Sequence, residues 1–229
     1  MTQQPASAVD TNVDSSTSSQ RSEQILDQIR EVFLAKGFEE ASMQDLAKAA
    51  AMSVGNFYRY FPSKDAIIAA LIERDLQMLE REFSQIRHAS DLRKEFRASI
   101  SLRMESAGCE NGPMLIEIES AALRRPAIHD ALCRVNAAIE KNLLGLFAQL
   151  TALSPEEAAE RFSSHAQLVV TMVKGVMREN RLSGSNTGLL PTPALRELVL
   201  AQVDKLIDEV IRQAKHANLH QERNGSGNE

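Results

Sequence analysis

The sequence predicts an all-α protein, and three observations carry that reading. Gly (10) and Pro (7) are sparse and aromatics make up 4% of the 229 residues, a poor supply for the turns and pleated faces of an all-β fold. Apolar residues recur at helical spacing almost throughout. Hydroxyl residues suited to helix capping stand just ahead of several of those periodic runs. The expected architecture is an N-terminal three-helix unit, joined by a long helix to a larger helical block.

The elements follow in order. Residues 1–20 are dominated by Ser, Thr, Gln and Asn and cannot bury enough apolar surface to offset their ordering entropy, so they read as a disordered tail. Ile25, Ile29, Val32 and Phe33 form one apolar face, closed by Lys36 and Gly37. Ser42, with Asp45 three residues on, opens a short helix to about Ala50. Ser53 opens another through Phe61, Pro62 stops it, and Ser63 caps a helix from Lys64 to about Ile86. Helices are expected near 92–107, 113–123, 127–151, 155–182 and 193–215, separated by Gly, Pro and Ser punctuation. Leu132, Val135, Ile139, Leu143, Leu146 and Leu150 keep a seven-residue repeat, which reads as an internal packing seam. Residues 216–229 are polar and Gly-rich at the end and should fray.

Composition bounds the function classes. The formal charge of −5 argues against coating nucleic acid through bulk charge, although a local basic patch stays open. Cys109 and Cys133 are too few and too far apart for a disulfide framework or a thiolate zinc site, and read as free, buried thiols in a reducing cytosol. Neither a signal-peptide core nor a membrane-spanning run is present, so a cytoplasmic chain with no membrane partner is expected. No H-E-x-x-H, G-x-S-x-G, Gly-rich phosphate loop or metal-spaced His/Cys cluster occurs. No catalytic residue, metal or cofactor is therefore assigned.

The informative segment is 42–61, SMQDLAKAAAMSVGNFYRYF. Two short capped helices separated by a few residues are the geometry of a helix-turn-helix, whose second helix enters the DNA major groove. Leu46, Ala47 and Ala50 should face inward, with Val54, Phe57 and Phe61 packing from the second helix. From Leu46 to Lys64 the charged residues are Lys48, Arg59 and Lys64, with no acid among them, which suits phosphate contact. A cation at Lys64 in the first turn of a helix is disfavoured by the helix dipole unless an anion compensates it.

With SMQDLAKAA, SVGNFYRYF and PSKDAIIAAL in place, the run from Ile25 to Leu71 resembles the DNA-binding domain of the TetR/AcrR family of transcriptional regulators. The resemblance covers roughly residues 21–80; the domain organisation it implies is 21–80 for DNA binding and 81–215 for ligand binding and dimerisation. Carried over by position, it implies phosphate-contacting or capping roles for Ser42, Ser53, Tyr58, Tyr60 and Lys64. It places Val54, Gly55, Asn56 and Arg59 on or beside the base-reading surface, with Lys48 in the same cationic window. The lesser alternative for Tyr58 and Tyr60 is that of ordinary surface residues, and Arg59 could meet a base or a phosphate. One departure is Ala51, where the family usually has Gly. If the turn needs a positive φ there, Ala costs roughly 1 kcal/mol.

The second block supplies weaker signals. Met104, Met114, Ile118, Leu146, Phe147, His165 and Met172 are candidate lining for an effector pocket, each also readable as plain core. The last two helices carry apolar stripes wider than one packing partner needs. The resemblance implies that they pair with a second copy, with Val169, Val173, Val176, Leu198, Val199, Leu206 and Val210 as candidate interface residues. A homodimer would read a palindromic operator on double-stranded DNA. The expected function is a repressor released from its operator by a small-molecule effector; an activator or an effector-independent regulator on the same fold is the alternative.

Overall fold

The computed structural model describes residues 13–106, 112–182 and 193–225, all in helices and short connections. The helices are α1 (Val13–Lys36), α2 (Met43–Ala49), α3 (Val54–Tyr60), α4 (Lys64–Arg87), α5 (Leu92–Ser106), α6 (Gly112–Ala122), α7 (Pro126–Thr151), α8 (Pro155–Leu182) and α9 (Pro193–Gly225). By its contacts the chain divides into two compact units, Met1–Leu71 and Ile72–Glu229, against an expected boundary at 80/81.

Helix starts agree closely with the capping residues. Ser42 makes a reciprocal capping box with Asp45, Ser53 accepts from the Asn56 amide, and Ser63 accepts from the Ala66 amide at 3.1 Å. Both ends of the chain depart from expectation. α1 begins at Val13, inside the stretch read as a disordered tail, and α9 continues to Gly225, through residues expected to fray. Once a helix is nucleated by a packed amphipathic stretch, each added residue costs little, so polar flanks extend it. Residues 1–12, 183–192 and Cys109 lie outside the described residues.

In the first unit Ile29, Phe33, Phe38, Leu46, Ala47, Phe57, Ile67 and Ile68 are buried together with Phe61 and Leu71. Phe57 meets Phe61 in a tilted pair with ring centroids 5.4 Å apart, and Phe33 meets Phe38 at 5.8 Å. Val54, expected to pack inward, is 39% exposed instead. It is the first residue of α3 and lies about 60° from Phe57 on a helical wheel, far enough to leave the buried stripe of so short a helix.

The turn between α2 and α3 resolves the question that Ala51 posed. Its φ is +52°, and the Ala51 amide donates to the Lys48 carbonyl while the Met52 amide donates to the Ala47 carbonyl. That pair of bonds is a Schellman ending with alanine in the left-handed position glycine normally holds. α7 likewise ends on an alanine in the left-handed region, Ala152 with φ +56°. Replacing Ala51 by Gly relieves the Cβ clash and is expected to raise the stability of the first unit by about 0.5–1 kcal/mol, the clash outweighing the extra entropy of an unfolded glycine. A chemical denaturation midpoint that fails to rise would show that the turn carries no such strain.

The second unit is a bundle in which α7 packs most extensively on α8, antiparallel to it. The seven-residue repeat of α7 is the seam expected: Leu143 and Leu146 are buried, and Val135, Ile139 and Leu150 pack partly buried against the same core. Arg93 and Arg97 of α5 pair with Asp208, Asp204 and Glu197 of α9. Glu82 of α4 receives both Ser99 and Arg103 of α5.

Three of the residues expected at a dimer interface are core residues of this unit. Val169, Val176 and Val210 are buried in its central cluster, Val173, Val199 and Leu206 sit partly buried at its edge, and Leu198 is exposed. The stripes were wide because these helices pack against α5 and α7 as well as against each other, which helical periodicity cannot distinguish from an intermolecular contact. Cys133 is likewise corrected: it is free and exposed on α7, with its sulfur 3.4 Å from His129 Nε2.

Candidate nucleic-acid interface

The site grows out of two short helices and the caps that start them. In α2, the Ser42 amide and hydroxyl both donate to Asp45 Oδ2, at 3.0 and 2.7 Å, and the Asp45 amide returns a bond to Ser42 Oγ at 3.1 Å. Lys36, in the last turn of α1, reaches Asp45 Oδ1 at 2.7 Å. Asp45 therefore joins the end of α1 to the start of α2. The Lys36 ammonium, followed by the Ser42 hydroxyl and amide, holds its carboxyl well below the usual aspartate range.

That depressed value fixes the sign of a pH effect. A carboxylate whose folded pKa lies below its unfolded value near 3.9 stabilises the fold above that unfolded value. The contribution is lost as pH falls from about 4 through the lower folded value. The first unit is therefore expected to lose stability on acidification in that window, and Asp45→Asn should flatten the dependence. Acid titration followed by tyrosine fluorescence checks it, because the chain has two tyrosines, no tryptophan, and both tyrosines lie on α3.

α3 buries Phe57 and turns the rest of its surface outward. Val54, Gly55, Asn56, Tyr58, Arg59 and Tyr60 are all exposed, as are Ser53 and, on α2, Lys48 and Ser42. Tyr58 is 47% and Tyr60 63% exposed, an unusual state for both tyrosines of one chain and one that leaves their hydroxyls available as donors. A Cβ built on Gly55 meets nothing within 4 Å, so its lack of a side chain answers no need of the packed unit. Between Leu46 and Lys64 this surface carries cations and no acid.

Lys64 is placed differently from a freely presented phosphate contact. Its ammonium donates to the carbonyls of Phe38 and Glu39 at 3.0 and 2.9 Å and sits 5.1 Å from the centroid of the Phe38 ring. These groups compensate the cation in the first turn of α4, and they tie the loop after α1 to α4. The sequence offered no signal for this, since both acceptors are backbone carbonyls some 25 residues away.

Residues 25–71 match the family model for bacterial regulatory proteins of the tetR family. That segment carries the pattern of the tetR-family regulators. Among curated relatives of this chain is the HTH-type transcriptional regulator UidR of Escherichia coli K12. It is 34% identical over 110 residues, covering 45% of this chain and 53% of UidR. The chain thus spans about half the length of the curated relatives it matches. Among solved structures, GusR of Salmonella enterica superposes with a TM-score of 0.62 at 22% identity, covering 82% of this chain and 96% of GusR. A regulator from Saccharomonospora viridis, solved in complex with choline, gives 0.60 at 13% identity over 83% of this chain and 96% of that one. At such identities the structural likeness shows the fold alone.

The candidate effector residues are distributed over the second unit. Met104, Leu146 and Phe147 are fully buried in its core, and Ile118 on α6 is 2% exposed. Met172 is partly buried against the core, and the side chain of Met114 lies outside the described residues. His165 is partly buried, its ring edge-on to Phe162 at 5.6 Å. No described helix is long and apolar enough to cross a membrane.

Proposed function

We propose that the protein is a homodimeric, operator-binding transcription regulator whose hold on DNA a small-molecule effector releases. The observation that carries the reading is α3: a short helix that buries one aromatic face and presents Gly55, Asn56, Tyr58, Arg59 and Tyr60 outward in an acid-free window. Asn56 offers the paired donor and acceptor that an adenine edge accepts, and Arg59 can meet guanine or a phosphate. Ser42, Lys48, Ser53, Val54 and Lys64 surround them and position the helix or meet the backbone. Two such helices in a dimer would lie about 34–36 Å apart, or a multiple of that, which implies a palindromic site.

On α8 and α9 the interface is assigned to exposed residues, Leu168, Leu195 and Leu198 among them, rather than to the buried valines. The effector would bind within the second unit and favour the DNA-incompetent state, with typically 1–3 kcal/mol of coupling, about 5–150-fold in affinity.

Selection of bound sequences from random DNA tests DNA binding, palindromy and half-site spacing together. Recovery of no common sequence would overturn the reading. On the recovered site Gly55→Ala gives a sharp check. The space around Gly55 accepts a methyl group, and helix propensity should keep stability level or raise it by about 0.5 kcal/mol. Operator affinity is nonetheless expected to fall at least about ten-fold, the size of one lost base contact, because the methyl group stands where the backbone meets DNA. Equal affinity in a gel-shift titration at fixed salt would remove Gly55 from the interface.

A further inference from the structure

His129 and Cys133 stand one helical turn apart on α7, and both are exposed. Pro126 begins that helix, and Ile128 and Ala131 are buried on its inner side, so packing fixes which way the helix faces. The pair lies about 40° apart around the axis, near enough to share one patch of surface. The imidazole presents Nε2 to the Cys133 sulfur at 3.4 Å. Being exposed, neither residue serves the packed core.

The separation of the two atoms matches a metal ion's requirement. A tetrahedral zinc ion lies about 2.3 Å from a thiolate sulfur and about 2.0–2.1 Å from an imidazole nitrogen. At the tetrahedral angle these lengths set the two donors about 3.5–3.6 Å apart. The pair stands within about 0.2 Å of that bite before any side chain moves. Donors already placed this way give up little side-chain freedom on binding. Their chemistry narrows the ion: thiolate and imidazole suit zinc and softer ions, whereas magnesium and calcium take oxygen ligands. Among the described residues no third His, Cys, Asp or Glu joins them, so solvent would fill the remaining positions.

We infer that His129 and Cys133 form a two-donor site on the outer face of α7 for a thiophilic metal ion of the zinc class. As the ion binds, the Cys133 thiol gives its proton to solvent and a metal–sulfur bond forms. His129 supplies the lone pair of Nε2 and keeps a proton on Nδ1, and no electron is transferred. The H-x-x-x-C spacing is too short a pattern to stand out in the sequence. It becomes a chelate because α7 turns both residues to one side. The site is independent of the effector reading, and its test involves no DNA.

The test titrates the full chain with cadmium chloride, following the thiolate-to-cadmium charge-transfer absorption, and then reads zinc by competition. Subtracting the titration of Cys133→Ser isolates the Cys133 thiolate from that of Cys109. A saturable Cys133 band is expected, displaced by zinc chloride and untouched by magnesium chloride. His129→Gln should weaken cadmium binding at least about ten-fold, since even groups that only orient a ligand are worth about ten- to hundred-fold. Both substitutions fall at exposed positions, so the helices should persist, which circular dichroism checks. In wild type, zinc should move the ring resonances of one of the five histidines with the same saturation. Those resonances should be the ones missing from His129→Gln. A Cys133 band that never saturates, or equal affinity in wild type and His129→Gln, would leave a thiol binding metal alone and overturn the site. Magnesium displacing cadmium as readily as zinc does would overturn the ion class.

Discussion

Phe57→Ala is expected to unfold the first unit while leaving the second folded. Phe57 is fully buried and its ring meets that of Phe61 at 5.4 Å between centroids. Deleting such a ring costs about 3–5 kcal/mol in transfer and cavity terms together. A helical unit of this size has little stability to lose, because small domains bury a modest fraction of their surface and total stabilities are only about 5–15 kcal/mol. The two tyrosines report on it directly, since both lie on α3. Tyrosine emission should take its unfolded value at temperatures where far-ultraviolet circular dichroism still records the helices of the second unit. A variant whose tyrosine signal melts with wild type would show that α3 is held by something other than Phe57.

Lys64→Ala should lower the stability of the same unit by about 2 kcal/mol, since it removes hydrogen bonds from a charged donor and a contact with an aromatic face. The loss stays at this low end because the side chain is only partly buried and water screens it. The ammonium holds two carbonyls of the loop after α1, so its loss frees that loop and the start of α4. The consequence for DNA binding separates two roles. A cation that acts through the fold leaves the salt dependence of operator affinity unchanged once the variant is folded. One that meets a phosphate lowers the slope of log affinity against log salt by about 0.9. With both carbonyls engaged, the unchanged slope is expected; a drop near that value would return Lys64 to the phosphate-contacting set.

The helices were legible because their signals are local. Ser42, Ser53 and Ser63 stand where they cap, Pro62 where α3 ends, and the α7 repeat where it packs. The outward face of α3 was legible for the same reason, since its residues are the ones left over once Phe57 and Phe61 are assigned inward. Ala51 was legible as a question, and its φ answered it. What misled was partner choice. Val169, Val176 and Val210 carry the apolar periodicity of an interface and the burial of a core, and Val54 carries a core residue's chemistry at a solvent-facing position.

The charge pattern shows where the two levels of information part. From sequence alone follow the all-α class, the capped pair of short helices, the family resemblance, and an acid-free cationic window inside a chain of net charge −5. All of these depend on residues within a few turns of one another. Only the folded chain decided that Asp45 spends its charge on Lys36 and Ser42 and that Lys64 spends its own on two distant carbonyls. Electrostatic and packing energies fall off over a few ångströms of space and take no account of separation along the chain. Which charge finds which partner is therefore a property of the tertiary structure.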